Sequence, residues 1–379
     1  MSQKNKPYIL IVDDEPDKQA RAFKTEIGNK ANVEVASPEG LTDKNQITRA
    51  DLILVDYRLD KWQSRDDIDS LCQRPMNGLA LAAILRSHAD DDKDASPTGI
   101  AILSGYLNEL SGGLPSEPRA HAIARSHNLE WAFSRKSDQS GVSLSRQVVE
   151  LASAIRELPT SWPIGDFEAT KKQFQSLFAF PEKEAWSART WAEIEDCHPP
   201  IHELSNWTHG LAVLRWLLRR ILPYPCFLWD SYHLAARLRI QHSSLLKTLN
   251  KKGKLTTALE KVCYKGTLSE FIGKRWWRSG VEAMLWEMTS GNSLDAGAVR
   301  NALASYGKLV LEPSEADNPI VCIDQNYQPV HRFFTAKEAV RLQPDDWPPY
   351  ADQAWTTIEL AQKFDSLSAL VVKQDRARL

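Results

Sequence analysis

Two stretches of this chain share one design, and together they constrain most of what it can become. Ile9-Leu10-Ile11-Val12 is an aliphatic run that ends abruptly in Asp13-Asp14-Glu15-Pro16, and Leu52-Ile53-Leu54-Val55 is a second that ends in Asp56. Continuous aliphatic runs of this length, bounded by polar residues, suit strands buried on both faces of a parallel sheet. Open sheets of that kind place their ligands beyond the carboxyl ends of the strands, where the carboxylates of Asp13, Asp14 and Asp56 now stand. Crowded carboxylates repel one another unless a cation joins them, and an all-oxygen set suits a hard ion, Mg²⁺ first.

The residues around these runs alternate between helical and strand patterns. Positions 17–27 carry Ala20, Phe23 and Ile27 at helical spacing and end at Gly28-Asn29; residues 33–35 read as a short strand. A helix is expected over 78–87, a strand over 99–103 ending in Ser104-Gly105, and a helix over 118–127. A fifth strand over 130–135 ends at Lys136, and 146–158 forms a last amphipathic helix. This order predicts an α/β fold with a doubly wound, five-stranded parallel sheet of flavodoxin type.

Asp13 and Asp14, Asp56, Ser104 and Lys136 are each the first functional group after a buried strand. The pieces Val12-Asp13-Asp14-Glu15, Leu54-Val55-Asp56, Met76-Asn77-Gly78-Leu79, Ile102-Leu103-Ser104-Gly105 and Phe133-Ser134-Arg135-Lys136 occur in this order. On these motifs residues 6–158, about two-fifths of the chain, resemble the receiver (CheY-like) domain of bacterial two-component response regulators. The resemblance implies that Asp56 accepts a phosphoryl group from a sensor histidine kinase. It also implies Mg²⁺ held by Asp13, Asp14, Asp56 and the backbone carbonyl of Arg58. Lys136 would supply charge to a phosphate oxygen, Ser104 would be the switch hydroxyl, and Phe133 the aromatic that turns with it. The chemistry fits the residue types. A carboxylate nucleophile forms an acyl phosphate, and phosphoryl transfer is mostly positioning and charge neutralisation. Three features depart from the family pattern. Ser137 stands where proline is usual, residues 60–77 form a long polar loop, and 107–119 are an insertion after the switch serine.

At 379 residues the chain exceeds one typical core, so a second domain is expected. Pro159, Trp162, Pro163 and Gly165 mark a linker at 159–166 between a receiver domain at 1–158 and a mostly helical output or interaction domain at 167–379. In that region lie 11 of the 13 tryptophans, counting from Trp162, and helical patterns at 167–178, 211–222, 231–240, 255–263, 268–288 and 355–372. A hairpin is expected over 318–334, followed by a helix capped by Thr335 with Glu338.

Charge is distributed unevenly. Residues 211–278 hold 14 Lys/Arg against 3 Asp/Glu, and Lys274, Arg275 and Arg278, interleaved with Trp276 and Trp277, offer a nucleic-acid-contacting face. The bland alternative is a solvated face over buried tryptophans. Cys197, His198, His202 and His209 suit no common closed zinc site, so packing roles are preferred. Five scattered cysteines without CxxC spacing, no apolar leader, and arginines at 215, 219 and 220 within the most apolar helical stretch point to a cytoplasmic protein without a membrane span. No catalytic triad, P-loop or kinase signature appears, so no enzymatic output domain is expected. The leading expectation is a phosphorelay response regulator. The alternatives are a DNA-binding regulator using 211–278 and a phosphate sink that drains a kinase.

Overall fold

The structure is a computed structural model that describes residues 6–68, 74–90, 96–110, 119–135, 141–163, 165–204, 210–306 and 311–379. The expected strands form as β1 (Tyr8–Val12), β2 (Asn32–Ala36), β3 (Leu52–Asp56), β4 (Gly99–Ser104) and β5 (Trp131–Ser134). They make one all-parallel sheet in the order β2-β1-β3-β4-β5. The crossovers carry α1 (Arg21–Ile27), α2 (Lys44–Thr48), α3 (Gly78–Asp90), α4 (Leu107–Leu110) and α5 (Ala120–Ser126), and α6 (Leu144–Arg156) follows the last strand. Parallel neighbours demand such crossovers, because the chain must return to the same end of the sheet each time. The short α2 completes one that periodicity did not single out. Asp43 caps it by accepting from Asn45 N, while Gln46 returns a bond to the Asp43 backbone.

Side-chain alternation along the buried strands sorts the core into two layers. Leu10, Val12, Ile53, Val55, Ile100, Ile102 and Ala132 pack with Leu81, Leu85 and Ile123 on one face. Ile9, Ile11, Leu52, Leu54, Ala101, Leu103 and Phe133 pack on the other, with Phe23 and Val148. This second layer does not stop at α6. It continues into Phe174, Phe178, Trp216, Phe227 and Phe271, so the sheet and the C-terminal half share one apolar core. Trp162, in the expected linker, is 5% exposed and belongs to the same cluster.

The C-terminal half is built from α7 (Phe167–Leu177), α8 (Ser187–Asp196), α9 (Ile201–Leu204), α10 (Leu211–Trp216), α11 (Ser231–Leu238), α12 (His242–Leu249), α13 (Lys254–Lys261), α14 (Arg278–Met288) and α15 (Ala296–Ser305). A π-helical turn, Leu217–Ile221, extends α10. Leu228–Trp229 and Trp276–Trp277 pair as the antiparallel β6 and β7, which interrupts the helix expected over 268–288. The hairpin expected over 318–334 is present as the bridges Ile320↔Phe334 and Ile323↔Pro329. The helix expected after Thr335 does not form. Thr335 N and Oγ1 both donate to Glu338, but they close a turn, and the next residues enter β8 (Ala339–Leu342). That strand pairs antiparallel with β9 (Ala354–Thr357), so the expected 355–372 helix starts later, as α16 (Ile358–Lys363) and α17 (Asp365–Leu370). Strand pairing across a tertiary contact outweighs local helix signals of a few tenths to one kcal/mol.

A buried charge cluster ties the two halves at the amino end of β5. Glu130, 0% exposed, receives Arg86 Nη2 from α3 at 2.6 Å and Arg215 Nε and Nη2 from α10 at 2.9 and 2.8 Å. The two guanidinium charges hold its carboxyl below the usual range despite full burial. Close by, Arg219 donates to the Leu129 carbonyl. Just before α5, Arg119 pairs with Asp346 at 3.0 Å, and on the helix His121 Nε2 lies 3.0 Å from the Tyr224 hydroxyl. Among the described residues no helix is long and apolar enough to cross a membrane.

Candidate functional site

Strand order reverses between β1 and β3, and the crevice at such a switch point is where doubly wound sheets bind ligands. The registers Val12↔Val55, Asp56↔Leu103 and Ser104↔Ser134 bring Asp13, Asp56, Ser104 and Arg135 to the same carboxyl edge. One guanidinium nitrogen joins the two acids. Arg135 Nη2 donates to Asp56 Oδ1 at 2.8 Å and to Asp13 Oδ2 at 3.2 Å. The other Asp56 oxygen accepts from Arg58 N at 3.0 Å, which orients the carboxylate, and Asp13 Oδ1 accepts from Glu15 N at 2.8 Å. Burial raises the Asp56 carboxyl above its ordinary range; Arg135 pulls it back, and the Asp13 charge opposes that.

Asp14 is not part of this convergence. Its carboxylate accepts from Lys61 N at 2.6 Å, and burial together with the charges of Asp13 and Asp60 raises its protonation range. Lys61 Nζ also meets Glu15 at 2.5 Å, so the start of the long polar loop is fastened to the acidic rim, with Trp62 buried behind it. Across the pocket the Arg58 side chain stacks 4.0 Å from the Tyr106 ring centroid and pairs with Glu109 at 2.6 Å, drawing the first turn after β4 over the edge.

Gly78 is the tightest joint of the site. A Cβ there would stand 2.1 Å from the Asp56 carbonyl oxygen, so only glycine lets α3 start this close to β3. Its N–H donates to Tyr57 O at 2.8 Å, and Asn77 Oδ1 accepts from Ala80 N at the start of the same helix. Ser104 is 2% exposed, and its hydroxyl accepts from Tyr106 N at 2.9 Å. Phe133, 1% exposed, faces away from the pocket into the shared core, with its ring centroid 6.2 Å from that of Phe271 in the C-terminal half. Trp131 meets the same ring edge-on at 5.1 Å. Lys136 lies outside the described residues, as do 69–73 and 111–118 of the two inserted loops.

The donor set fits a hard cation. Two carboxylates already face a single positive nitrogen, and Mg²⁺ is commonly held by one or two carboxylates plus waters and phosphate oxygens. Among the described residues no three His, Cys, Asp or Glu side chains gather as a metal-ligand group, since Asp14 turns to Lys61.

Lys274, Arg275 and Arg278 each have partners within the fold. Lys274 pairs with Glu260 at 2.7 Å, the Arg275 guanidinium donates to the carbonyls of Leu222, Ile272, Gly273 and Lys274, and Arg278 pairs with Asp352 at 2.9 Å. Trp276 and Trp277 between them are buried. His202 stacks on Phe167 at 4.9 Å, Cys197 is buried against Cys226, and His209 lies outside the described residues. Compared with protein-family models and with curated proteins, the sequence matches none of them.

Proposed function

We propose that this protein is a phosphorelay response regulator in which Asp56 accepts a phosphoryl group from a sensor histidine kinase. The observation that carries this reading is the convergence of Asp13 and Asp56 on one cationic group at the switch point of a 2-1-3-4-5 parallel sheet, with Ser104 on the adjoining strand end. An Asp56 oxygen attacks the phosphorus of a phosphohistidine; the new O–P bond forms as the N–P bond breaks, and the imidazole leaves. Asp13, Asp56 and the Arg58 carbonyl would hold Mg²⁺, which would supply charge neutralisation for the transferred oxygens. Arg58 N–H keeps the nucleophile oriented throughout. Ser104 then exchanges its bond from Tyr106 N for one to a phosphate oxygen, and Phe133 responds through its contact with Phe271. Because the sheet and the helical half share one core, a shift at β5 reaches the C-terminal half by direct packing rather than through a flexible tether.

Incubation with acetyl phosphate and Mg²⁺ tests the reading. The wild-type chain is expected to gain one hydroxylamine-sensitive phosphoryl group by intact mass, and Asp56→Asn to gain none. Beryllofluoride plus Mg²⁺ is expected to change hydrogen exchange around Phe271 in the wild type only. Absence of Asp56-dependent labelling overturns the phosphoacceptor role. Labelling without any change at Phe271 leaves the acceptor and removes the output, as in a phosphate sink.

A further inference from the structure

The geometry points to Arg135 as a tethered counter-cation that competes with a divalent metal ion for Asp13 and Asp56. This rests on the phosphoacceptor reading and deepens it, by assigning a regulator of metal entry within the chain itself.

Three observations carry the inference. A single nitrogen, Arg135 Nη2, stands between the two carboxylates, at 2.8 Å from Asp56 Oδ1 and 3.2 Å from Asp13 Oδ2. A metal ion bridging those acids must occupy the same space. The three side chains are also largely withdrawn from water, at 19% exposure for Arg135, 6% for Asp13 and 16% for Asp56, so solvent screens the contacts little. Finally, Arg135 is fixed at its root, because its backbone N–H donates to Ser104 O at 2.9 Å directly after β5. The side chain therefore swings from an anchored point beside the switch serine.

An arginine in this position differs from any titratable partner. A guanidinium is not a proton switch, so such a counter-cation gives way to a metal ion only by moving. Moving it sacrifices two charge-assisted hydrogen bonds, and that loss is subtracted from the apparent metal affinity. The cluster holds two negative charges against one positive, so it still attracts a divalent ion, and it does not collapse when that ion is absent. The device keeps the pocket closed and folded without metal, and sets a threshold concentration for opening it.

Binding of Mn²⁺, a carboxylate-preferring stand-in for Mg²⁺, reads the competition directly by the loss of the free-ion EPR signal, on the full chain and without any phosphodonor. Arg135→Gln is expected to bind Mn²⁺ at least about tenfold more tightly than wild type, because the two charge-assisted contacts of the guanidinium no longer have to be broken. Its melting temperature is expected to be lower without metal and to rise further on Mn²⁺ addition. Should Arg135→Gln fail to fold, Arg135→Met removes the charge while keeping an unbranched side chain, and the same direction of change is expected. Asp56→Asn abolishes tight binding in every background. Equal or weaker Mn²⁺ affinity in the folded Arg135 variant than in wild type overturns this inference alone. No Asp56-dependent Mn²⁺ binding in any variant overturns the metal-assisted phosphoacceptor reading with it.

Discussion

The sheet carries a charged cluster at each end, and the two are built with opposite stoichiometry. At the carboxyl edge, two carboxylates share one guanidinium, as Asp13 and Asp56 do with Arg135. At the amino edge, two guanidinium groups share one carboxylate, as Arg86 and Arg215 do with Glu130. The first lies at a crevice among polar loops, and among the described residues its two carboxylates share the single Arg135 guanidinium, the arrangement on which the proposed cation exchange rests. The second is closed by the C-terminal half: Glu130 has no exposure, and each of its oxygens is paired. A buried ion must be fully matched or its desolvation goes unanswered, so the closed cluster can only hold. The same interaction type is thus a lock at one end and a socket at the other. What separates them is access to solvent and which sign of charge is shared.

The largest expected effect comes from breaking the lock. Glu130→Ala strands the buried Arg86 guanidinium and the partly buried one of Arg215, and is expected to lower stability by roughly 3–5 kcal/mol, read by urea denaturation. Replacing Arg86, Glu130 and Arg215 together by apolar residues is expected to recover most of that loss. A single-mutant effect below about 1 kcal/mol would show that Glu130 does not tie the halves.

A smaller effect is expected from acid at the same interface. Burial and the neighbouring Arg119 charge lower His121 from its ordinary 6.5 to about 4. Between those values the unfolded chain binds the proton and the folded chain does not, so stability falls as pH drops from about 6.5 to about 4 and is flat above that window. The total is on the order of 3 kcal/mol, and His121→Gln is expected to flatten this part of the profile. An unchanged slope in the variant would assign the acid response to other groups.

The smallest effect is expected at the rim of the socket. Lys61→Ala removes the exposed pair with Glu15 at 2.5 Å and is expected to leave the melting temperature unaltered, because solvent and salt screen such contacts. Phosphoryl acceptance by Asp56 is the sensitive readout there: Lys61 N still holds Asp14 after the substitution, so labelling is expected to persist. Loss of labelling would make the Lys61 side chain part of the pocket.

The N-terminal half was legible because buried parallel strands leave a plain mark: four or more aliphatic residues in a row, then a polar stop. The runs 9–12 and 52–55 became β1 and β3 with Asp56 at the strand end, and Ser104 and Phe133 fall on β4 and β5. The C-terminal half was less legible for a definite reason. Thr335 N donates to Glu338 Oε2 as a capping box requires, but the Thr335 hydroxyl donates to that same oxygen instead of accepting from Glu338 N, and the chain turns into β8, for which β9 from Ala354 on offers ladder bonds. Likewise Lys274, Arg275 and Arg278 look like a basic face in one dimension, and their partners Glu260, Leu222 and Asp352 are invisible until the chain folds. Arg135 was within reach, as a cation at the carboxyl end of a strand in the same parallel sheet as two strands ending in acids, but it stands next to Lys136, which drew the role by resemblance.

The sequence by itself determined the α/β class of the first half, the buried strands, and the acids at their carboxyl ends, because these depend on short-range patterns of burial and charge. Only the tertiary structure decided which cation stands between Asp13 and Asp56, that Glu130 carries two arginines from different halves, and that Phe133 rests on Phe271. Those pairings join residues up to 138 positions apart in the chain, and no local pattern specifies which of several equivalent charges or rings will meet.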